Sequence, residues 1–114
     1  MKRLIIDIDG TICTQTPGTY EEAKPIPEAV ATVNKLYDEG HTIVFYTARY
    51  MHRCKDNIVE VYRKYYNTTL AQLHEWGLKF HELHMGKISG DYFIDNMSID
   101  WNPDWNNIYN KCNE

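Results

Sequence analysis

Nowhere in its 114 residues does the sequence approach the roughly 20 consecutive apolar residues that a membrane-spanning helix needs. It also lacks a dense Lys/Arg run. With 12 basic against 16 acidic side chains, its formal net charge is -4, so neither nucleic acid nor an anionic membrane surface is an expected partner. Cysteine is scarce too: Cys13, Cys54 and Cys112 are odd in number, far apart and form no C-x-x-C pair. That excludes a disulfide framework and a zinc knuckle, and leaves reduced thiols as the default. The opening Met1-Lys2-Arg3 is followed shortly by the acids Asp7 and Asp9, which a signal peptide would not tolerate, so a cytoplasmic chain is expected. There is no internal repeat and no linker.

What remains is an ordinary globular composition, 43% hydrophobic and 25% charged, in a chain long enough for one domain over residues 1–114 and too short for two. Leu4 to Ile8 is an apolar, β-branched run broken only by Asp7, the pattern of a strand buried on both faces of a parallel sheet. Thr14 to Pro27 has no period and is read as a loop, with Pro25 and Pro27 setting up a helix from about Pro27 to Asp38. Thr42 to Tyr46 reads as a strand ending in Thr47-Ala48-Arg49.

The spacing of Ile58, Val61, Tyr62 and Tyr65 predicts a helix over about Cys54 to Tyr66, and Asn67-Thr68 then predicts the cap of a second helix carrying Leu70, Leu73 and Trp76. A short strand near Phe80 to His84 and an apolar strand Tyr92-Phe93-Ile94 ending at Asp95 complete the pattern. The C-terminal tail resists assignment. Strands alternating with helices imply right-handed crossovers in a parallel sheet, hence an α/β fold, a three-layer α/β/α sandwich. In such sheets ligands sit beyond the carboxyl ends of the strands.

The first strand delivers Asp7-Ile8-Asp9-Gly10-Thr11, two carboxylates on one side of the chain where a strand meets a turn. Like charges so placed repel unless a proton or cation is shared, and hard oxygen ligands of this kind suit Mg²⁺. Asp95, at the end of another apolar strand, is the expected further carboxylate. The Thr47 hydroxyl, the Lys87 ammonium and turn amides near Ile8 to Thr11 are expected to meet phosphate oxygens. Taken alone, D-x-D-G is also a calcium-loop fragment, but Gly18 occupies the twelfth place, where such a loop needs Glu.

D-x-D-G-T, an apolar strand ending in Thr, a Lys, and an apolar strand ending in an acid together resemble the haloacid dehalogenase superfamily from Leu4 to Asn96. The run Thr47-Ala48-Arg49, Thr68, Gln72-Leu73, Trp76-Gly77, Met85-Gly86-Lys87 and Ile94-Asp95 resembles its small capless members associated with capsular or surface polysaccharide loci. The resemblance implies a Rossmann-like sandwich without a cap domain and a phosphatase in which Asp7 attacks phosphorus and Asp9 serves as acid and then base. It implies Mg²⁺ on the Asp7 carboxylate, the Asp9 carbonyl and Asp95, phosphoryl oxygens held by Thr47 and Lys87, and substrate contacts from Gly10, Thr11, Ala48 and Arg49. Asp95 is followed by Asn96 where many relatives have a second acid; Asp91 is a distant substitute.

Several residues carry two readings. Arg49 reaches either substrate or an acid of the site, or it is a solvated strand-end cap. His81 and His84 look like a metal pair, but their spacing on a strand sends them to opposite faces and favours surface positions. Cys13 reads as packing, since no partner His can be placed for a nucleophile. Tyr62, Tyr65 and Tyr66 read as helix packing. The expected partner is a small-molecule or polymer-linked phosphate ester; neither interval between the motifs holds a cap, which suits a large or polymer-linked ester in an open site, or a homo-oligomer whose second subunit closes it. A receiver-like signalling domain also uses Asp, Thr and Lys, but its acceptor Asp precedes the Thr at a mid-chain strand end. A weakly active binding protein on the same fold is the third reading.

Overall fold

The computed structural model describes residues 1–101 and 104–114. Three strands, β1 (Arg3–Ile6), β2 (Thr42–Tyr46) and β3 (Glu82–His84), form one parallel sheet in the order β1-β2-β3. Ile5 is in register with Val44, and Val44 with Glu82. The central strand is the most apolar, and Ile43, Val44 and Phe45 are all buried. This is an α/β fold on an open parallel sheet.

Helix α1 (Pro27–Asp38) joins β1 to β2 and has the bounds its sequence predicts, with Pro27 in its first turn. Helix α2 (Ile58–Glu75) joins β2 to β3 as one helix of 18 residues, where two were expected. Its N-cap is Asn57, whose side chain accepts from the Glu60 amide at 3.2 Å. Asn67 and Thr68 lie exposed inside it, because Val61, Thr69 and Leu73 continue a single buried stripe across them. The Tyr side chains on this helix do pack: Tyr65 stacks on Tyr50 with centroids 3.8 Å apart, and Tyr62 on Tyr66 at 5.5 Å.

The Thr14 to Pro27 loop is tied at its base, where Thr14 N–H donates to Lys24 O and Ile26 N–H to Ile12 O. A 3-10 turn at Tyr20–Glu22 lies within it. Only this loop and α1 fill the first interval, and only a turn region and α2 fill the second, so neither holds a cap domain.

Two expected strands are corrected. The first ends at Ile6, because the Ile8 carbonyl turns to accept from Thr11 N–H and Ile12 N–H rather than extend the ladder. Tyr92-Phe93-Ile94 forms no strand among the described residues: nothing pairs with its backbone, and the three side chains are 51%, 59% and 52% exposed. A further helix, α3 (Trp105–Cys112), occupies the tail, capped by the Asp104 side chain on Asn107 N–H. Among the described residues no helix is long and apolar enough to cross a membrane.

Candidate active site

Past the carboxyl ends of β1 and β2 lies a cavity of about 270 Å³ lined by Asp7, Asp9, Thr47, Ala48, Arg49 and Lys87, among others. Two backbone features build it. Gly10, at φ +79°, lets the chain turn straight after the paired acids, and a Cβ there would press on the Gln15 side chain at 3.1 Å. Gly86, at φ +89°, turns the chain after β3 where any Cβ would collide with Ile58. That turn aims Lys87 back across the sheet, and Lys87 N–H donates to Thr47 O at 3.1 Å.

Asp7 is the more accessible acid. Its side chain is 37% exposed, Thr11 Oγ1 donates to Oδ2 at 3.1 Å, and Lys87 Nζ stands 3.3 Å from Oδ1. Lys87 is itself covered by the Phe93 ring, whose centroid lies 4.6 Å from Nζ. Thr47 is buried, and its hydroxyl oxygen accepts from Arg49 N–H at 3.0 Å. With that lone pair used, the hydroxyl retains its proton to donate.

Asp9 is held differently. Arg49 Nε donates to Oδ2 at 2.8 Å and Nη2 to Oδ1 at 2.9 Å, a fork across both carboxylate oxygens. The remaining nitrogen, Nη1, donates to Gln72 Oε1 at 2.6 Å, and Gln72 Nε2 donates to Tyr20 O at 2.9 Å. The guanidinium also lies 5.0 Å from the Tyr20 ring centroid. Burial pulls the pKa of Arg49 down, but the bonds to Asp9 and the charge of Asp9 more than offset this and hold it above its ordinary value. Arg49 is buried and no solvated cap: it is the partner of an acid of the site, linking it to α2 and, through Gln72, to the Thr14 to Pro27 loop. A larger cleft of about 520 Å³ lies beyond Arg49, between Tyr20, Tyr50 and α2, and contains neither Asp7 nor Lys87.

Other expectations fall out unevenly. Gly10 N–H and Thr11 N–H bond within the turn, to Cys13 O and Ile8 O, so these two amides are not free for phosphate. Thr11 orients Asp7 through its hydroxyl. Cys13 is buried and donates to Ile8 O and Asp9 Oδ1; burial first, then the Asp9 charge, push its thiol up to about 11, which suits packing. His81 and His84 diverge: His81 Nδ1 accepts from Ile43 N–H, while exposed His84 bonds Glu82. Gln72, Tyr20 and Phe93 carry site contacts that their residue types gave no local reason to expect.

The donors of one chain do not complete a divalent-metal site. Asp7 offers one carboxylate, already beside an ammonium, and Asp9, its side chain held by Arg49, has only the expected main-chain carbonyl to add. Asp95 is not among the residues lining the cavity; it is exposed in a turn, where its Oδ1 accepts from Met97 N–H at 2.9 Å. Among the described residues, no three His, Cys, Asp or Glu side chains gather in one place.

No protein-family model matches the sequence, and no curated protein does. The fold does match a solved structure, a structural-genomics target from Vibrio cholerae, with a TM-score of 0.80 at 20% identity over 100% of both chains. At that identity the likeness establishes the fold and nothing about chemistry.

Proposed function

We propose that the chain is a phosphomonoester hydrolase of the haloacid dehalogenase type, on a three-layer Rossmann-like frame, working through an aspartyl-phosphate on Asp7. The observation that carries the reading is the surrounding of Asp7: an accessible carboxylate at a strand's carboxyl end, with Lys87 Nζ at 3.3 Å and the Thr47 hydroxyl lining the same cavity. In such a site one Asp7 oxygen attacks phosphorus as the ester oxygen departs opposite it, so one P–O bond forms while another breaks.

Asp9 donates a proton to the departing alcohol and later takes one from the water that hydrolyses the intermediate. To hold that proton it must release one bond of the Arg49 fork, and Gln72 keeps the guanidinium anchored when it does. Lys87 and Thr47 meet the phosphoryl oxygens, and the ammonium offsets their charge. The substrate class that fits an uncapped cavity is a sugar phosphate or a polymer-linked phosphate ester, and Mg²⁺ is the cation this chemistry takes, with Asp7 as the carboxylate ligand one chain offers.

The test is release of inorganic phosphate from a panel of phosphomonoesters with Mg²⁺ present. Asp7→Asn should lower it by a factor of about 10³ or more. Undiminished release by that variant refutes the nucleophile.

A further inference from the structure

Three unfinished features of the fold fit one another. The first is the outer edge of β1, which no described strand pairs, although parallel sheets ordinarily have both faces and edges covered. The second is a trough of about 460 Å³ on one face of the sheet, lined by Arg3, Ile5, Val44 and Tyr46 and closed at one end by Ile58 and Tyr62. Ile5 is 56% exposed there and Tyr46 36%. The third is the C-terminal arm. Its run Tyr92-Phe93-Ile94 has the composition of a buried strand yet stands unpaired. Ile108 and Cys112 of α3 line a hollow with that run, yet Trp105 and Tyr109, on the same i, i+3, i+4, i+7 stripe and one turn apart, stay 63% and 70% exposed, so the apolar stripe of α3 is only partly covered.

The arm thus holds a strand without a sheet and a helix with an aromatic face, and the body holds an edge and a face that need both. The arm's own path does not bring them together: Phe93 lies over Lys87 at the carboxyl end of the sheet, not along the flank of β1. We propose that two copies exchange arms, so that Tyr92-Phe93-Ile94 of one copy extends the sheet of the other beside β1, α3 covers the trough, and Asp95 reaches the other copy's Asp7.

Register supports the last step. β1 ends at Ile6 with Asp7 one residue beyond, and the run ends at Ile94 with Asp95 one residue beyond. Parallel pairing of Ile5 with Phe93 therefore sets Asp95 beside Asp7 at the same edge. Ser89-Gly90 precedes the run, and Gly90 has open space around it, as an exchange hinge requires. The exchange is reciprocal, which closes a two-fold dimer and supplies each site with the carboxylate that one chain leaves out. The exchange itself rests on unpaired edges and faces; only the use made of Asp95 rests on the phosphatase reading.

Sedimentation equilibrium should give twice the 13.5 kDa chain mass. Differently tagged chains carrying Ile5→Cys and Phe93→Cys, co-expressed with Cys54 and Cys112 replaced by Ser and then oxidised, should form a covalent heterodimer, because paired strands bring Cα atoms within disulfide reach. Asp7→Cys with Asp95→Cys should do the same, which reads the delivery of Asp95 without any activity. Co-expressed Asp7→Asn and Asp95→Asn chains should recover about a quarter of wild-type phosphate release, since half the dimers are mixed and each has one intact site.

A monomer, or a disulfide that forms only within one chain of the double variants, overturns the exchange. A cross-link at positions 5 and 93 without one at 7 and 95 overturns the delivery of Asp95. If wild type releases no phosphate, the phosphatase reading fails, while the cross-links still decide the exchange.

Discussion

Arg49→Met tests whether the buried fork organises the site. The substitution keeps most of the apolar stem and removes the guanidinium, leaving the Asp9 carboxylate, 15% exposed, without its cation and Gln72 Oε1 without its donor. Removing one partner of a buried pair costs about 3–5 kcal/mol; Asp9 retains some water, so the lower end, about 3 kcal/mol, applies. In a chain of 114 residues that lowers Tm by roughly 12 °C, at about 4 °C per kcal/mol. Lys87→Met is the internal control. Its pair with Asp7 is longer, 3.3 Å, and more exposed, 19% and 37%, so it should cost about 1 kcal/mol or less. Equilibrium urea unfolding, followed by circular dichroism with a common slope, reads both. A double-mutant cycle with Asp9→Asn should return a coupling of about 1.5 kcal/mol or more. Equal losses from the two single variants, or a coupling near zero, would refute the claim that Asp9 is held by Arg49.

Thiol labelling at pH 8 should proceed at exposed Cys112, more slowly at Cys54, and at Cys13 only after denaturation. Moving a thiol from 9.0 to about 11 cuts its thiolate fraction about a hundredfold before burial restricts access, and rapid native labelling of Cys13 would contradict the packing around Asp9. Acid unfolding should report Glu82, whose carboxylate the Arg3 guanidinium, and then His84, lower to about 2. Its folded value lies below its ordinary 4.5, so its contribution is complete above 4.5 and is lost as pH falls towards 2. Glu82→Gln should flatten the urea midpoint over that window, and an unchanged acid limb would show that the Arg3 pair contributes nothing.

The parts of the fold that read correctly from the sequence are those decided locally. β2 is a β-branched and aromatic run whichever neighbours it has, and α1 carries its own Pro start and apolar stripe. Asn67-Thr68 misled because an Asn before a helical stripe looks alike at a cap and inside a helix. Thr69 and Leu73 decide it, and only by falling on the stripe of Val61. Tyr92-Phe93-Ile94 shows the other limit: strand composition is local, but a pairing partner is not. In the site, strand ends foretell that Asp7, Asp9 and Thr47 share a cavity, and Lys87 joins them by way of the turn at Gly86. That Arg49 is locked onto Asp9 is set by where α2 places Gln72 and where the Thr14 to Pro27 loop places Tyr20, positions 23 and 29 residues away along the chain.

Under the proposed mechanism, two identical side chains, two residues apart, are given different work by their cations. Lysine is a compact point charge on a flexible stem, and its 3.3 Å contact with Asp7 is readily exchanged for a phosphate oxygen. A nucleophile needs that: its oxygen must be free of its partner at the moment of attack, with the charge left nearby for the phosphoryl group. Arginine presents a planar fork, and at 2.8 and 2.9 Å it fixes the Asp9 carboxylate in orientation while remaining charged itself. An acid and base that serves two successive steps needs the orientation more than the freedom. Replacing the second of these cations, as in a chain carrying Arg49→Lys, would leave the net charge untouched and remove the fork. The division of labour proposed for the two acids therefore rests on the geometry of the cations, not on the charge they bring.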